Sequence, residues 1–572
     1  MIKDEIKNLI ERAVSSLYDI SCGRSKDAIS VLVEKPKEIS HGDYSTNVAL
    51  VVAKKLGKNP IEIANKITSE IRTSLIRANK GIGQSSLFEK VEVAPPGFVN
   101  FYLSKEFFVN NVKEILKEKN KFRSGKNLKS KKIIIEYTDP NILKEFHIGH
   151  LMPNTIGESL ARIFEFLGAK VKRVNYQGDV GLHVAKAIWA MKQGVTLLEA
   201  YPFGHKAYEE NETSRKEIIQ MNKVIFDRSD KTINKLYDQG KKESLAYFEE
   251  IYKKLGTKFD HYFFESEVAN IGKKIVEEGL KKGIFEKGER GAIVFRGEKY
   301  GLHARVFINS EGLPTYEAKE LGLAKIKYDK YKYNNSIIVT ANEQNEYFKV
   351  VLSVMSQIFP DLAQKTKHIG HGMMRLPEGK MSSRTGKVVT FEFLLNEIEQ
   401  LVKEKIKDRN FLEDEKNEVA EKVAIGAVKY SILKQSIGSD IIYDFEKSIS
   451  FDGDSGPYLQ YSLTRALSVL RKAKAVKIKP SLKKSPAEIG DLERLIHYFS
   501  EVVEKAGKDY EPHHLVLYLT ELASSFNAYY AKEKIVDKND KFSPYKIALT
   551  QVFSVIMKNG LWLLGIPAPE RM

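Results

Sequence analysis

The chain has 572 residues, 42% of them apolar and 10% aromatic, which excludes a disordered chain and predicts three or four domains with their own cores. The formal net charge of +17 favours a polyanionic partner, such as a nucleic acid, or an anionic surface. The single cysteine, Cys22, excludes an intrachain disulfide and a cysteine-based zinc knuckle.

The first hundred residues predict a small α/β domain. Helical periodicity at Ile61–Arg72 alternates with short strand-like runs at Ser30–Glu34 and Lys90–Val93. A lysine-rich stretch with serine and glycine, Lys117–Lys132, then predicts a linker. The amino terminus is charged and amphipathic, and no apolar run approaches the roughly 20 residues of a membrane helix, so we predict a cytoplasmic protein.

A strand, a helix and a second strand are predicted next. Ile133–Thr138 is apolar and β-branched, Pro140 and Asn141 interrupt it, Leu151–Leu167 repeats apolar positions at helical spacing, and Val171–Tyr176 is again strand-like. In such a βαβ unit, the loop that leaves the first strand faces a helix N-terminus, where unpaired backbone N–H groups attract phosphate. We therefore predict an anion site at this loop.

The sequence Phe146-His-Ile-Gly-His150 occupies that loop. His147 and His150 are three residues apart and can share one face of the helix. Gly149, between them, removes a side chain and would let a purine ring lie against the backbone. A lone histidine pair at a helix start can also be structural, so the motif favours a nucleotide only together with a second signal.

Charged helical sequence follows, and strands return after it. The stretch Lys186–Lys287 is poor in motifs and predicts an insertion between the two halves of a split sheet. Strand-like segments at Ala292–Phe295, Arg305–Ile308 and Ser336–Val339 are predicted to restore that sheet. From Glu392 onward the sequence is overwhelmingly helical.

The second signal is Lys380-Met-Ser-Ser-Arg384, followed by Thr385. Its two cations and the hydroxyls of Ser382, Ser383 and Thr385 can donate many hydrogen bonds to a polyphosphate. A loop of this kind that closes on substrate stabilises the charge on a departing pyrophosphate. Together the two motifs predict an ATP site with reaction at the α-phosphate.

Further motifs accompany these two along the chain. They are Gly42-Asp-Tyr-Ser-Thr-Asn47, Val93-Ala-Pro-Pro-Gly-Phe-Val-Asn100, Pro140-Asn-Ile-Leu-Lys144, Asn175-Tyr-Gln-Gly-Asp179, Gly456-Pro-Tyr-Leu-Gln-Tyr461 and Pro569-Glu-Arg-Met572. With them the chain resembles the class I aminoacyl-tRNA synthetases, and among these the arginyl-tRNA synthetases. The resemblance extends over nearly the whole chain.

The resemblance implies a multidomain α/β protein. Residues 1–104 would form an added amino-terminal α/β domain that binds tRNA. Residues 105–449 would form a Rossmann-like class I catalytic domain, with a helical insertion around 186–290 and a helical connector after 392, and residues 450–572 an all-α anticodon-binding bundle. The implied activity ligates L-arginine to its tRNA in two steps: ATP-dependent formation of arginyl-adenylate with release of pyrophosphate, then transfer to the terminal ribose of the tRNA.

The resemblance also assigns residues to the ATP site. Those implied in catalysis are Lys144, His147, His150, Lys380 and Arg384. Those implied in ATP binding are His147, Gly149, His150, Lys380, Met381, Ser382 and Ser383. Ser383 stands where the family usually has a second lysine, and Lys144 is expected to compensate. Mg²⁺ would accompany the ATP phosphates without a dedicated metal site in the protein.

For arginine, a planar guanidinium is best bound by a carboxylate as a bidentate fork. The residues that the resemblance assigns to this substrate are Glu136, Asn141, Tyr316, Glu320 and Gln344. Tyr316 and Glu320 lie four apart on the predicted helix Tyr316–Lys325, and Glu320 stands where the family has an aspartate. Tyr347 replaces the usual histidine and is left unassigned. Asp179 either orients substrate or forms an ordinary turn or helix cap.

For tRNA, the resemblance assigns Tyr44 and Asn47 to contact with the outer corner of the molecule. Tyr530, in Phe526-Asn-Ala-Tyr-Tyr530, offers an aromatic ring for stacking on splayed anticodon bases, although aromatics at this spacing also fill cores. The expected partners are tRNA(Arg), L-arginine and ATP, with no membrane. We expect a monomer.

Three other interpretations share part of this evidence. A different class I synthetase would have the same two ATP motifs, but residues 1–104, the segment Asn141–Lys144 and the chain ending favour arginine. A catalytically silent tRNA-binding paralogue is disfavoured by the intact histidines and Lys380. A small-molecule adenylyltransferase would need neither the helical last third nor the added first domain.

Overall fold

The structure is a computed structural model that describes residues 2–22, 28–79, 87–119, 122, 127–377 and 389–572. The chain divides into two compact units. The first comprises residues 1–122, 466–499 and 525–556, and the second comprises residues 123–465, 500–524 and 557–572. Among the helices that the structure describes, none combines the length and apolarity needed to cross a membrane.

The first unit contains a three-stranded antiparallel sheet in the order β1–β3–β2. Its strands are β1 (Tyr44–Thr46), β2 (Phe88–Ala94) and β3 (Phe98–Leu103). The helices of the amino-terminal region are Ile2–Tyr18, Val48–Leu56, Pro60–Asn79 and Lys105–Glu118. The predicted helix at Ile61–Arg72 and the predicted strand at Lys90–Val93 are both confirmed.

The predicted strand at Ser30–Glu34 is wrong. Val31 and Val33 are buried while Leu32 is exposed, so the side chains alternate as in a strand. The backbone, however, makes only one isolated antiparallel bridge, between Glu34 and Ser45. Alternation of apolar residues indicates an extended segment, but it does not supply a partner for the backbone hydrogen bonds.

The second unit is built on a five-stranded parallel sheet in the order β11–β10–β4–β5–β6. In chain order the strands are β4 (Lys132–Tyr137), β5 (Lys170–Gln177), β6 (His261–Phe264), β10 (Asn335–Ala341) and β11 (Thr366–His371). Strand β4 is central, with β5 and β6 on one side and β10 and β11 on the other. The strand order therefore reverses between β4 and β10. In open α/β sheets, ligands bind at the carboxyl ends of the strands at this switch point.

The predicted βαβ unit is confirmed as β4, the helix Ile148–Phe166 and β5. Five of the six residues of β4 are buried, as expected for a central strand covered on both faces. The far half of the helix contacts the last residues of the chain. Ser159 Oγ donates to the Leu563 carbonyl oxygen at 3.0 Å, and an Arg162 guanidinium nitrogen donates to that of Trp562 at 2.9 Å.

The insertion after β5 consists of four helices that share one apolar core. They are Leu182–Lys192, Leu197–Glu210, Glu212–Asp227 and Lys231–Leu255. The expected helical stretch of 186–290 nevertheless contains β6, which pairs with β5 at the edge of the parallel sheet. Only four residues of β6 are involved, and a run that short is not distinguished from helix by its periodicity.

The strands β8 (Ile293–Phe295) and β9 (Arg305–Ile308) do not restore the parallel sheet, contrary to the prediction. They form a separate antiparallel sheet with β7 (Glu286–Lys287), in the order β7–β8–β9. Of the three segments predicted to restore the parallel sheet, only the third, which corresponds to β10, joins it. Strand periodicity identifies an extended segment, whereas the short connections between these three strands favour antiparallel neighbours.

Helices make up most of the remaining chain, as predicted after Glu392. Before that point the structure has helices Glu265–Lys281, Tyr316–Tyr331, Asn345–Ile358 and Pro360–Lys365. The short strands β12 (Met374–Arg375) and β13 (Ile441–Ile442) pair in parallel. The later helices are Phe391–Lys405, Glu413–Leu433, Phe445–Ser448, Gly456–Ala475, Asp491–His497, Phe499–Asp509, His513–Lys532 and Ser543–Leu563.

Candidate active site

The loop between β4 and the helix Ile148–Phe166 has a strained backbone. Thr138, Asp139 and Leu143 have φ angles of 84°, 45° and 62°, in the left-handed region that residues with a Cβ rarely adopt. Neighbouring groups hold this conformation, because the Asp139 carboxylate accepts from the Tyr176 N–H at 2.8 Å and the Leu143 N–H donates to Ser244 Oγ at 3.0 Å. Strain of this kind concentrates at functional sites.

The two histidines lie at the start of the helix. His147 is its N-cap residue, and its Nδ1 accepts from the Gly149 N–H at 3.1 Å. His150 Nδ1 accepts from the His147 N–H at 3.3 Å, and the two rings stack with centroids 3.7 Å apart. The predicted sharing of one face is therefore observed.

Both imidazoles are neutral at physiological pH. Burial, assisted by the nearby Lys144 charge, lowers the pKa of His147 to about 4. Burial and the neighbouring His147 also hold the pKa of His150 well below its usual value. The pair can therefore offer hydrogen bonds to a phosphate, but it supplies no positive charge.

Gly149 is exposed beside His147, and the space above it is limited by that ring. A Cβ at position 149 would lie 2.8 Å from His147 Cε1 and 2.9 Å from its Nδ1. We expect Gly149→Ala to displace the imidazole and to raise the KM for ATP about tenfold in ATP–pyrophosphate exchange. An unchanged KM in the Gly149 variant would contradict this expectation.

Lys144 lies in the same loop and supplies the charge that the histidines lack. Its Nζ lies 4.0 Å from the centroid of the Tyr201 ring, a cation–π contact with the first part of the insertion. Burial lowers its pKa, and its charge in turn lowers the pKa of His147, His150 and His183. The structure thus brings Lys144 together with the histidine pair, as predicted.

The second motif, including Lys380, Met381, Ser382, Ser383 and Arg384, lies outside the described residues. The residues that follow it in the chain are described, and they pair with the histidine loop. The Ile148 N–H donates to the Val389 carbonyl at 3.0 Å, and the Phe391 N–H donates to the Phe146 carbonyl at 3.0 Å.

A cluster of buried carboxylates lies beside this loop, at the carboxyl end of β4. Glu136 pairs with Lys327, whose Nζ is 2.7 Å from Glu136 Oε2, and both side chains are at most 3% exposed. Glu265 pairs with Lys319 at 2.6 Å. Glu320 is 5% exposed, and one of its carboxylate oxygens has no hydrogen-bond partner among the residues that the structure describes.

We call the group formed by Glu136, Asp139, Glu265 and Glu320 the acidic pocket. A close helix crossing brings two of these residues, Glu265 and Glu320, together. Gly322 of the helix Tyr316–Tyr331 lies against Gly272 of the helix Glu265–Lys281. A Cβ on Gly322 would lie 2.8 Å from the Gly272 nitrogen, and a Cβ on Gly272 would lie 2.0 Å from the Ala318 carbonyl oxygen. The crossing admits no side chain and places Glu320 beside Glu265.

The carboxylates in the pocket outnumber the cations. Burial, followed by the neighbouring charge of Glu136, raises the pKa of Glu320 to about 8, although Lys327 opposes this shift. Burial and Glu136 also raise the pKa of Asp139 well above its usual value. Four carboxyl groups therefore share two lysines, and a cationic ligand would balance the excess.

The remaining predicted arginine-binding residues have different environments. Tyr316 is 58% exposed, and Lys319 Nζ lies 5.0 Å from its ring centroid. Asn141 bridges to Gly178, where a Cβ would lie 2.1 Å from Asn141 Oδ1. Gln344 is exposed in the one-turn helix Asn342–Gln344 after β10. All three lie near the carboxyl ends of the strands.

Sequence models of three protein families match the chain. The model described as "tRNA synthetases class I (R), catalytic domain" matches residues 111–445, "Arginyl tRNA synthetase N terminal domain" matches residues 4–103, and "DALR anticodon binding domain" matches residues 459–572. An arginine–tRNA ligase of Borreliella burgdorferi is 31% identical, with 100% of this chain and 99% of that protein covered.

The chain belongs to the arginyl-tRNA synthetase family. An arginine–tRNA ligase of Clostridium acetobutylicum is also 31% identical, over 99% of this chain and 100% of the relative. The solved arginyl-tRNA synthetase of Thermus thermophilus shares the fold, with a TM-score of 0.80 at 22% identity and full coverage of both chains. The resemblance inferred from the sequence and the multidomain α/β fold are both confirmed.

In this member of the arginyl-tRNA synthetase family, the burial of Tyr44 contradicts the prediction that this residue contacts tRNA. It is 0% exposed, and its hydroxyl lies 2.8 Å from His497 Nε2 within the first unit. A buried phenol cannot stack on or hydrogen-bond to RNA at the surface. Asn47 is half-buried and precedes the helix Val48–Leu56, and Tyr530 is 42% exposed. Neither of these two side chains is fully buried.

Asp179 has a structural set of contacts rather than a free carboxylate. It is fully buried and accepts hydrogen bonds from Tyr237, Lys241 and Ser266 at 2.7–2.9 Å. These bonds connect the end of β5 to the insertion and to the helix Glu265–Lys281. Of the two readings of this residue left open by the sequence, the structure favours the structural one.

Several residues near the site are absent from the sequence-based assignments. Glu265 and Asp139 belong to the acidic pocket, Lys327 pairs with its Glu136, and His183 lies against the Gly178 carbonyl, with its Nε2 3.3 Å away. Glu265 directly follows β6, but this four-residue strand was not recognised from the sequence, so the position of Glu265 at a strand end gave no signal. Lys327 had no signal either, because its partner is 191 residues away.

No group of three or more histidine, cysteine, aspartate or glutamate side chains within the described ranges is arranged to hold a metal ion. The carboxylates around Glu136 and Glu320 are buried, and lysines neutralise only part of their charge.

Proposed function

We propose that this chain is an arginine–tRNA ligase that activates L-arginine with ATP and transfers it to tRNA. The family membership carries the class of reaction, ATP-dependent aminoacylation. The acidic pocket beside the histidine loop, at the sheet's switch point, is the observation that supports arginine as the substrate.

In the first step, a carboxylate oxygen of arginine attacks the α-phosphorus of ATP, and pyrophosphate leaves with the electrons of the broken P–O bond. Neutral His147 and His150 would donate hydrogen bonds to phosphate oxygens, and Lys144 would balance their charge. Gly149 would lie under the adenine. Lys380 and Arg384, with Met381, Ser382 and Ser383, are proposed from sequence alone to contact the same phosphates.

In the second step, a hydroxyl of the terminal ribose attacks the carbonyl carbon of the adenylate, and AMP leaves. Positioning of the two substrates, rather than a covalent enzyme intermediate, would account for most of the acceleration. The strained loop Thr138–Leu143, which is held by the sheet and by the insertion, supports such a fixed geometry.

The guanidinium would be held by Glu320 and Glu265, with the Tyr316 ring beside it. Glu136 and Asn141 would hold the α-amino end of arginine, and Gln344 would contact the substrate from the end of β10. The unpartnered Glu320 oxygen supports this placement, since a bidentate guanidinium donates to carboxylate oxygens.

Mg²⁺ would enter with ATP and be held by its phosphates and by water, a coordination that this ion commonly adopts. It would supply charge neutralisation to the leaving pyrophosphate.

For tRNA, Asn47 in the amino-terminal region and Tyr530 in the helical last third are the proposed contacts. The net charge of +17 suits a partner with many phosphates. We further propose that the protein acts as a monomer in the cytoplasm.

The experiment that tests this function is ATP–pyrophosphate exchange with each of the twenty amino acids, with and without bulk tRNA. We expect exchange with arginine alone. Exchange with another amino acid would identify a different class I synthetase. A complete lack of exchange in the presence of tRNA would favour a silent tRNA-binding paralogue or a small-molecule adenylyltransferase, since the latter transfers the adenylyl group to an acceptor that is not an amino acid.

A further inference from the structure

Four residues beside the histidine loop form a closed ring of hydrogen bonds, which we call the Tyr247 ring. The Phe146 N–H donates to the Tyr247 hydroxyl oxygen at 3.2 Å, and the Tyr247 hydroxyl donates to Glu392 Oε1 at 2.7 Å. Glu392 adjoins Phe391, whose N–H donates to the Phe146 carbonyl at 3.0 Å. The ring therefore returns to the residue from which it started.

The Tyr247 ring joins three separate parts of the chain. Phe146 immediately precedes His147, Tyr247 belongs to the insertion helix Lys231–Leu255, and Glu392 lies in the first turn of the helix Phe391–Lys405. Two further contacts connect the same segments: a backbone bridge between His147 and Thr390, and the hydrogen bond from the Ile148 N–H to the Val389 carbonyl.

This ring of hydrogen bonds requires a tyrosine hydroxyl at position 247. The phenol is the one group in the ring that both accepts, from a main-chain N–H, and donates, to a carboxylate. Burial and the Glu392 carboxylate raise the pKa of Tyr247, so its proton stays in place at any physiological pH. Removal of the hydroxyl leaves the N–H of the buried Phe146 and an oxygen of the half-buried Glu392 without this partner.

We propose that Tyr247 and Glu392 are positioning residues for the ATP site, because their hydrogen bond fixes the segment Val389–Glu392 against the histidine loop. This inference rests on the proposed function. Neither residue touches the reacting atoms. Their effect on catalysis would pass through the main chain of Phe146 and thus through the orientation of the histidine that follows it.

The test compares Tyr247→Phe with a matched control, Tyr262→Phe. Tyr262 also donates its hydroxyl to a glutamate of the insertion helix, Glu249, and burial likewise raises its pKa, but it lies at the edge strand β6. Both variants lose one tyrosine–carboxylate hydrogen bond. Tyr247→Phe also loses the hydrogen bond from the Phe146 N–H, so a purely structural role predicts a larger fall in melting temperature for this variant but no selective loss of kcat in the folded protein.

For Tyr247→Phe we expect the kcat of arginine-dependent ATP–pyrophosphate exchange, measured with tRNA, to fall on the order of 10- to 100-fold, because small displacements of positioned groups have effects of this size. The KM for arginine should stay within about twofold. Tyr262→Phe should retain kcat within about twofold. Glu392→Gln keeps an oxygen that accepts from Tyr247, so it should lose less activity than Glu392→Ala.

Equal kcat values for Tyr247→Phe and Tyr262→Phe would overturn the inference, as would a Glu392→Gln variant no better than Glu392→Ala. If Tyr247→Phe fails to fold, the two Glu392 variants decide. Failure of the proposed function gives a different result, since the unmodified protein itself would then lack arginine-dependent exchange.

Discussion

Replacement of Lys144 with alanine should lower the kcat of arginine-dependent ATP–pyrophosphate exchange on the order of 100- to 1,000-fold. Lys144 is the cation that the structure places beside the two neutral histidines, and loss of one donor to the developing phosphate charge has effects of this size. The measurement is exchange at saturating arginine and ATP in the presence of tRNA.

Lys349→Ala is the control for this prediction. Lys349 lies on the surface, where it pairs with Glu346 and is 59% exposed, so its loss should change kcat by less than about twofold. Lys144→Arg preserves the charge and should recover part of the activity. Near-normal exchange in Lys144→Ala would refute the role proposed for this residue.

Replacement of Glu320 with glutamine should raise the KM for arginine on the order of 100-fold and leave the KM for ATP unchanged. The glutamine keeps the size of the side chain but removes the charge that pairs with the guanidinium, and hydrogen bonds to charged groups contribute about 1.5–3 kcal/mol. Glu343→Gln, at an exposed position beyond β10, is the control and should behave as the unmodified protein.

The same residue should make arginine binding depend on pH. With a pKa of about 8, Glu320 is mostly protonated at pH 7 in the free protein, whereas a bound guanidinium favours the ionised form. Binding should therefore release a proton, and the KM for arginine should fall as pH rises from about 6.5 to 8.5. Glu320→Gln should show no such slope; a slope of equal size in that variant would assign the titration to another group.

The local structure around the histidine loop was predicted correctly. The apolar runs around the histidine loop predicted the βαβ unit, because strand and helix periodicity are local properties. The helices after Glu392 were predicted for the same reason. The resemblance, rather than the periodicity, singled out Lys144, and the structure places its charge beside the histidine pair.

The parts that depend on distant partners were not predicted. Lys327 pairs with Glu136, which lies 191 residues away in the sequence. Strands β8 and β9 pair with each other and not with the parallel sheet. Tyr44 belongs to a motif that the resemblance assigned to tRNA contact, yet the folded chain covers its ring with residues more than 450 positions later, and its hydroxyl contact with His497 spans 453 residues. Burial is a property of the assembled fold, and a local pattern does not specify it.

The helix that begins with the histidine pair is attached at both of its ends. Its first residues form hydrogen bonds within the loop and with Val389. Near its last turn, Ser159 and Arg162 donate hydrogen bonds to the main-chain carbonyls of Leu563 and Trp562. Lys429 adds a contact to the same terminal turn through the Gly565 carbonyl at 2.8 Å. A tilt of this helix that displaces its histidine end would therefore also strain the hydrogen bonds at the carboxyl-terminal turn.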